Sequence, residues 1–118
     1  MNWIKLSVDG VKKRIYDSPR ELDHLIELAK MRFGVLKHIL ATGQFKPYVS
    51  FKSPAISKSI HLETNRDLIE HCEIVLAEQK TVNLKITFKR IGLDDRSLVP
   101  FRIVKQILKA EKSPYKND

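Results

Sequence analysis

Cysteine is nearly absent: Cys72 stands alone in 118 residues. No internal disulfide can form, which suits a reducing compartment and points to a cytoplasmic setting. The four glycines are scattered and make no phosphate-cradling loop. Apolar runs stop at three or four residues, too short for a membrane span. The opening MNWIKLSVDG has no long apolar stretch ahead of a small-residue cleavage site, so a secretory signal is not expected. Internal repeats, low-complexity tracts and a polybasic tail are all missing. Aromatics make up 8% of the chain and do not interleave with basic residues as base-stacking platforms do. Acidic residues are in deficit, 14 against 22 Lys and Arg, leaving a formal charge of +8. Such a balance favours an acidic partner without naming its class.

What is present suffices for one packed domain. The apolar share of 42% and charged share of 31% are those of an ordinary globular chain. Residues 1–90 carry sixteen basic and ten acidic side chains, and residues 91–118 carry six and four. The positive charge is therefore spread over both parts, with one dense run at Lys12-Lys13-Arg14.

Ile4, Leu6 and Val8 alternate with Lys5 and Ser7, the period of a half-buried strand. Asp9-Gly10 is a strong hairpin signal, and residues 11–16 return as the second strand. Ser18, Pro19 and Glu21 then read as N-cap, first helical position and capping-box partner. They predict a helix over about residues 19–33, with Leu22, Leu25, Ile26, Ala29 and Phe33 on one face and Gly34 as its left-handed terminator. Val35, Leu36, Ile39 and Leu40 suggest a helical continuation or turn, stopped by Gly43 and Pro47. Residues 48–51 and 60–62 read as short strands around a loop at 53–59. Thr64 or Asn65 caps a second helix bearing Leu68, Cys72, Val75 and Leu76. Val82, Leu84, Ile86 and Phe88 alternate in a last strand. The expected fold is α+β: a ubiquitin-like β-grasp roll, a mixed sheet of four to five strands with two helices, plus a C-terminal helix.

A boundary is expected at residues 90–95, giving a domain over 1–92 and an extension over 93–118. In that extension Val99, Ile103, Val104, Ile107 and Leu108 form an apolar stripe, with Pro100 near the helix start and Lys105, Lys109 and Lys112 opposite. This helix either packs back on the domain or begins a linker or partner-binding segment.

These features, in order, resemble a Phox-and-Bem (PB-one) domain of the basic-face type, nearest to those of mitogen-activated protein kinase kinase kinases. The resemblance covers residues 3–90. It is carried by Trp3-Ile4-Lys5-Leu6, the glycine turn, Lys13-Arg14-Ile15, Ser18-Pro19-Arg20 and Phe33-Gly34. Tyr48, Ser59-Ile60-His61-Leu62, Asp67-Leu68 and Leu84-Lys85-Ile86 complete it. The chain departs from the family in an extra residue in the second strand and an inserted loop at 52–59. The resemblance implies a heterodimerisation module of signalling or scaffold assembly, in which a basic strand face meets an acidic loop-and-helix motif on a partner protein. Lys5 matches the family lysine, and Lys12, Lys13 and Arg14 match the basic second strand. The acidic counterpart is missing here: residues 53–62 contain no Asp or Glu, and only Glu63, Asp67 and Glu70 lie nearby.

The residues support this independently. A two-residue turn at Asp9-Gly10 pairs Val8 with Val11, Ser7 with Lys12, Leu6 with Lys13 and Lys5 with Arg14. Lys5, Lys12 and Arg14 then share the face opposite Ile4, Leu6 and Ile15. Lys13 would point inward, which suits a lysine only if it snorkels, so a bulge or longer turn is expected instead. Trp3 either flanks the face or packs at the sheet edge, and Lys85 with Lys89 extends the basic set. The same residues would also suit a merely solvated face or a guarded edge strand. A Ras-type GTPase-binding ubiquitin-like domain and a nucleic-acid-binding domain are the alternatives. No catalytic residue, metal site, cofactor or small-molecule substrate is expected. His24, His38, His61 and His71 lack ligand spacing, Cys72 reads as a core residue, and Asp94-Asp95 reads as a helix cap. No kinase motif occurs.

Overall fold

The alternation of β1 (Ile4–Val8) buries Ile4, Leu6 and Val8 and leaves Lys5 and Ser7 on the other side. Asp9 and Gly10 both adopt positive φ, 52° and 76°, as a two-residue type I′ connection requires. β2 (Val11–Ile15) therefore returns in the expected register, Lys5 opposite Arg14 and Leu6 opposite Lys13. No bulge intervenes, contrary to expectation. The computed structural model describes residues 3–53, 57–91, 98–99 and 101–116.

The first helix starts later than its sequence suggests. α1 is Leu22–Arg32, with Glu21 at the N-cap position and no side-chain cap of its own. Ser18 does not cap it; the Ser18 amide accepts no helical role and donates to Asp17 Oδ1 at 2.8 Å, while Pro19 is buried ahead of the helix. The free amide of Leu22 instead donates to Asn65 Oδ1, 2.8 Å away and 43 positions along the chain. Gly34 does not end the helix in a left-handed conformation. Phe33 breaks it, in an extended conformation with its ring buried, and Gly34 opens α2 (Gly34–Ala41). Gly43, with φ 73°, takes the left-handed role after α2.

β3 (Phe45–Ser53) is nine residues long, with Pro47 inside it rather than stopping it. Proline is tolerated there because β4 (Lys58–His61) pairs only with positions 50–53, so Pro47 lies where β3 has a single paired neighbour, β5 (Val82–Arg90). α3 (Asn65–Ala77) carries the capping box: Asp67 N–H donates to Thr64 Oγ1, and Asp67 Oδ2 accepts from the Thr64 amide, both at 3.1 Å. Leu68 is buried and Cys72 and Val75 pack against the core, whereas Leu76 is exposed.

β5 is the spine of the sheet. Parallel to β1 and antiparallel to β3, it gives the order β2-β1-β5-β3-β4. Beyond Ile86, where β1 ends, β6 (Leu98–Val99) pairs with Phe88 and Lys89. The architecture is thus the expected α+β roll, compatible with a ubiquitin-like β-grasp, enlarged among the described residues to six strands and four helices. Val99 belongs to β6 and not to the last helix, α4 (Phe101–Lys116). Of the placements left open for α4, packing against the domain is the one found. Val104 is completely buried in the common core, and Phe101 lies 6.0 Å from Phe88, centroid to centroid. The expected boundary at 92–95, the cap at Asp94-Asp95, Pro100, the Lys112 side chain and positions 54–56 of the loop lie outside the described residues.

Candidate functional site

Every Asp or Glu is missing from the six strands, although Lys or Arg occurs in all but β6. Alternation sends the apolar half of each strand to the helix-covered face and much of this positive charge to the other. Register aligns it. Lys12, Ser7, Lys85, Ser50 and His61 are successive cross-strand partners from β2 to β4. Beside that row, Arg14, Lys5 and Asn83 are partners, and Lys52 faces Ser59. Between the rows lies a shallow depression of about 240 Å³. Lys5, Lys12, Lys52 and Lys85 line it together with Ser7, Ser50, Ser59 and Asn83. Ser50 is buried at its base, 6% exposed.

Most of the sequence-predicted residues meet here. Lys12, Arg14 and Lys85 are exposed, and Lys5 is half-buried between its neighbours. Trp3 belongs to the same cluster, because the Arg14 guanidinium lies 4.5 Å from its ring centroid, a cation–π contact that holds both. Lys13 does not join them. It sits on the helix side, where its Nζ donates to the Arg32 carbonyl at 2.8 Å and stands 5.2 Å from the Phe33 ring centroid. The inward lysine thus snorkels along the sheet edge and neutralises the carbonyl end of α1, which removes the need for a bulge.

Sequence reasoning missed Lys52 and the serines. The signal existed, since Tyr48, Ser50 and Lys52 alternate with Val49 and Phe51, but a strand read as ending at Phe51 left Lys52 in a loop. A second aromatic–cation group stands farther along the face: Tyr48 stacks on His61 at 3.1 Å, and Lys89 Nζ lies 4.2 Å from the Tyr48 centroid. Burial lowers the His61 pKa; Glu63 pulls it upward and Lys89 pushes it down again. His61 Nδ1 is buried with no hydrogen-bond partner, since Glu63 Oε1 at 3.7 Å is too distant for a good one.

Besides Glu63, three acidic residues near the site or on its hairpin are engaged within the chain. Asp67 closes the capping box, Glu70 pairs with Arg66 at 2.9 Å, and Asp9 reaches Lys105 of α4 at 3.7 Å. Nothing acidic in the hairpin thereby turns toward the four lysines.

Nucleophilic chemistry has little to build on. Cys72 is half-buried, and desolvation, reinforced by Glu73, raises its thiol pKa, away from the reactive thiolate. His71 stacks on Phe51 at 3.7 Å, on the helix side of β3. Among the described residues, no group of three or more His, Cys, Asp or Glu could hold a metal ion. No described helix is long and apolar enough to cross a membrane. Comparison of the chain with protein-family models, with curated proteins and with solved structures gives no match.

Proposed function

We propose that the chain is a non-enzymatic interaction module of the Phox-and-Bem type, contributing the basic half of a heterodimer in cytoplasmic signalling or scaffold assembly. Residues 1–92 form the module in this reading, and α4 braces it. One observation carries the reading: Lys5, Lys12, Arg14 and Lys85 converge on one sheet face, opposite the buried core side chains, whose described strands hold no carboxylate. A monomer gains nothing from directly opposed cations, whereas an acidic partner converts their repulsion into attraction and faster encounter. The missing acidic motif, with Asp67 and Glu70 engaged internally, fits a one-sided member that does not pair with itself. Lys13 is left out of the contact set and serves the fold instead.

A Ras-type GTPase is the second reading. β2 has a neighbour on one side only, so this basic edge is available for pairing with a foreign strand. Calorimetric titration of the chain and of Lys5→Glu against three probes tests both. The probes are an acidic-motif Phox-and-Bem domain, a GTP-loaded small GTPase and a single-stranded oligonucleotide. Binding of the first alone, lost in the variant, supports the proposal; binding of either other probe with no affinity for the first overturns it.

A further inference from the structure

The basic face carries more charge, more tightly grouped, than a single carboxylate needs. Lys5, Lys12, Lys52 and Lys85 come from β1, β2, β3 and β5 respectively yet line one depression. Each ammonium has three donors and no acceptor, and buried Ser50 and exposed Ser59 add hydroxyls between them. An occupant rich in acceptor oxygens and carrying more than one negative charge would complement this lining. The depression is open on its solvent side and offers about 240 Å³. That exceeds a carboxylate and suits a phosphoryl group with the end of the side chain that bears it.

We propose that this depression seats a phosphoserine or phosphothreonine side chain of the partner, so that phosphorylation of its acidic segment tightens docking. The inference rests on the proposed function, since it takes the face to be a protein-docking surface. A phosphorylated residue carries about −1.5 to −2 charges and three strong acceptor oxygens at neutral pH. Lysines bind a phosphoryl group as point charges and need no bidentate fork to do so. Two rival phosphate carriers fit less well. A nucleotide needs a ring to stack its base, and the one aromatic lining residue, Phe51, is committed to His71 on the other side of β3. A phosphorylated lipid headgroup comes with a bilayer, yet none of the lining residues is among the large exposed apolar side chains that could enter one.

The test uses the full chain and four probes: Asp-Asp-phosphoserine-Asp-Asp, the same peptide with Glu or Ser at the centre, and vesicles containing a phosphoinositide. Affinities come from calorimetry, and amide shifts on β1, β3 and β5 locate the contact. The phosphopeptide is expected to bind about tenfold more tightly than the Glu peptide, from charge-assisted contacts alone. Lys52→Gln and Lys85→Gln should erase that difference while thermal melting stays unchanged. Equal affinity for the phosphoserine and Glu peptides overturns the proposal, as does tighter binding to vesicles, or a phosphopeptide that perturbs only amides outside the depression. Binding of an acidic-motif domain that persists alongside such a failure leaves the docking role standing, so the two ideas fail separately.

Discussion

Lys5 and Arg14 face each other directly across the β1–β2 hairpin, two cations on adjacent strands with no carboxylate between them. Arg14 is held in place by the Trp3 ring, 4.5 Å from its guanidinium carbon, so the pair does not relieve itself by swinging apart. Directly opposed like charges destabilise a sheet, by about 0.2–1 kcal/mol. In the proposed reading an acidic partner would offset that cost.

Lys5→Gln is therefore expected to leave the melting temperature unchanged or slightly higher while weakening an acidic partner by about 2 kcal/mol or more. Glutamine keeps part of the half-buried stem and removes only the charge. Thermal unfolding and calorimetric titration on one preparation measure both. A variant that binds as well as wild type would remove Lys5 from the interface.

Lys13 predicts the opposite pattern. Its ammonium bonds the Arg32 carbonyl at the end of α1, at 2.8 Å, and lies over Phe33. Lys13→Ala is expected to cost about 1 kcal/mol of stability, from one hydrogen bond to a helix terminus and a weak cation–π contact. Partner affinity should hardly change. Urea denaturation beside a binding titration separates the two effects, and Lys13→Arg should recover most of the stability.

The contrast between these two lysines shows what was legible in the chain. The hairpin register could be read residue by residue, because Asp9-Gly10 leaves one turn geometry and alternation does the rest. Which way Lys13 resolves its inward position could not, since the accepting carbonyl is 19 residues away. The start of α1 failed for the same reason: its first amide is satisfied by Asn65, 43 positions along the chain. Pro47 looked like a terminator because its tolerance depends on where β4 stops pairing, a fact of topology. Lys52 completed the basic depression only once β3 proved long enough to carry it there. Local rules thus reached the hairpin half of the site and stopped at the half assembled by β3 and β4.

α4 is expected to be a structural part of the domain. Val104 is fully buried, and Phe101 approaches Phe88. Val104→Ala should destabilise by roughly 1–3 kcal/mol, the loss of buried methyl groups plus the cavity they leave. Exposed Arg102, changed to Ala, should have no measurable effect. Chemical denaturation of both variants checks this; equal stability would mean that α4 docks without supporting the core.

The capping box of α3 gives a fourth expectation. Thr64→Ala should cost about 1 kcal/mol, the usual value of such a cap. The Asp67 carboxyl is held below its ordinary pKa of 3.8 chiefly by the Thr64 backbone amide, then by that of Glu63. Stability from this source is complete above about pH 3.8 and disappears as pH falls through the lowered folded value. Asp67→Asn should flatten the acid limb of unfolding below pH 4 and leave the curve above pH 5 parallel to wild type.

A separate, milder acid sensitivity arises from the two stacks on β3. His71 lies against Phe51 on the helix side, and His61 against Tyr48 on the basic face. Burial lowers the pKa of both below 6.5; at His61 the carboxylates of Glu63 and Asp67 work against that lowering and Lys89 adds to it. The folded chain thus favours neutral imidazoles, while unfolded histidines take up protons near pH 6.5. Stability is then complete above about pH 6.5 and declines as pH drops below it, until the folded values are passed. For His71 desolvation is the one cause of the lowering. His71→Phe keeps an aromatic ring against Phe51 and removes the titration. The variant should therefore gain on wild type between pH 7 and pH 5, measured as unfolding free energy by urea at each pH. A constant difference between the two proteins across that range would show that His71 carries none of the acid sensitivity.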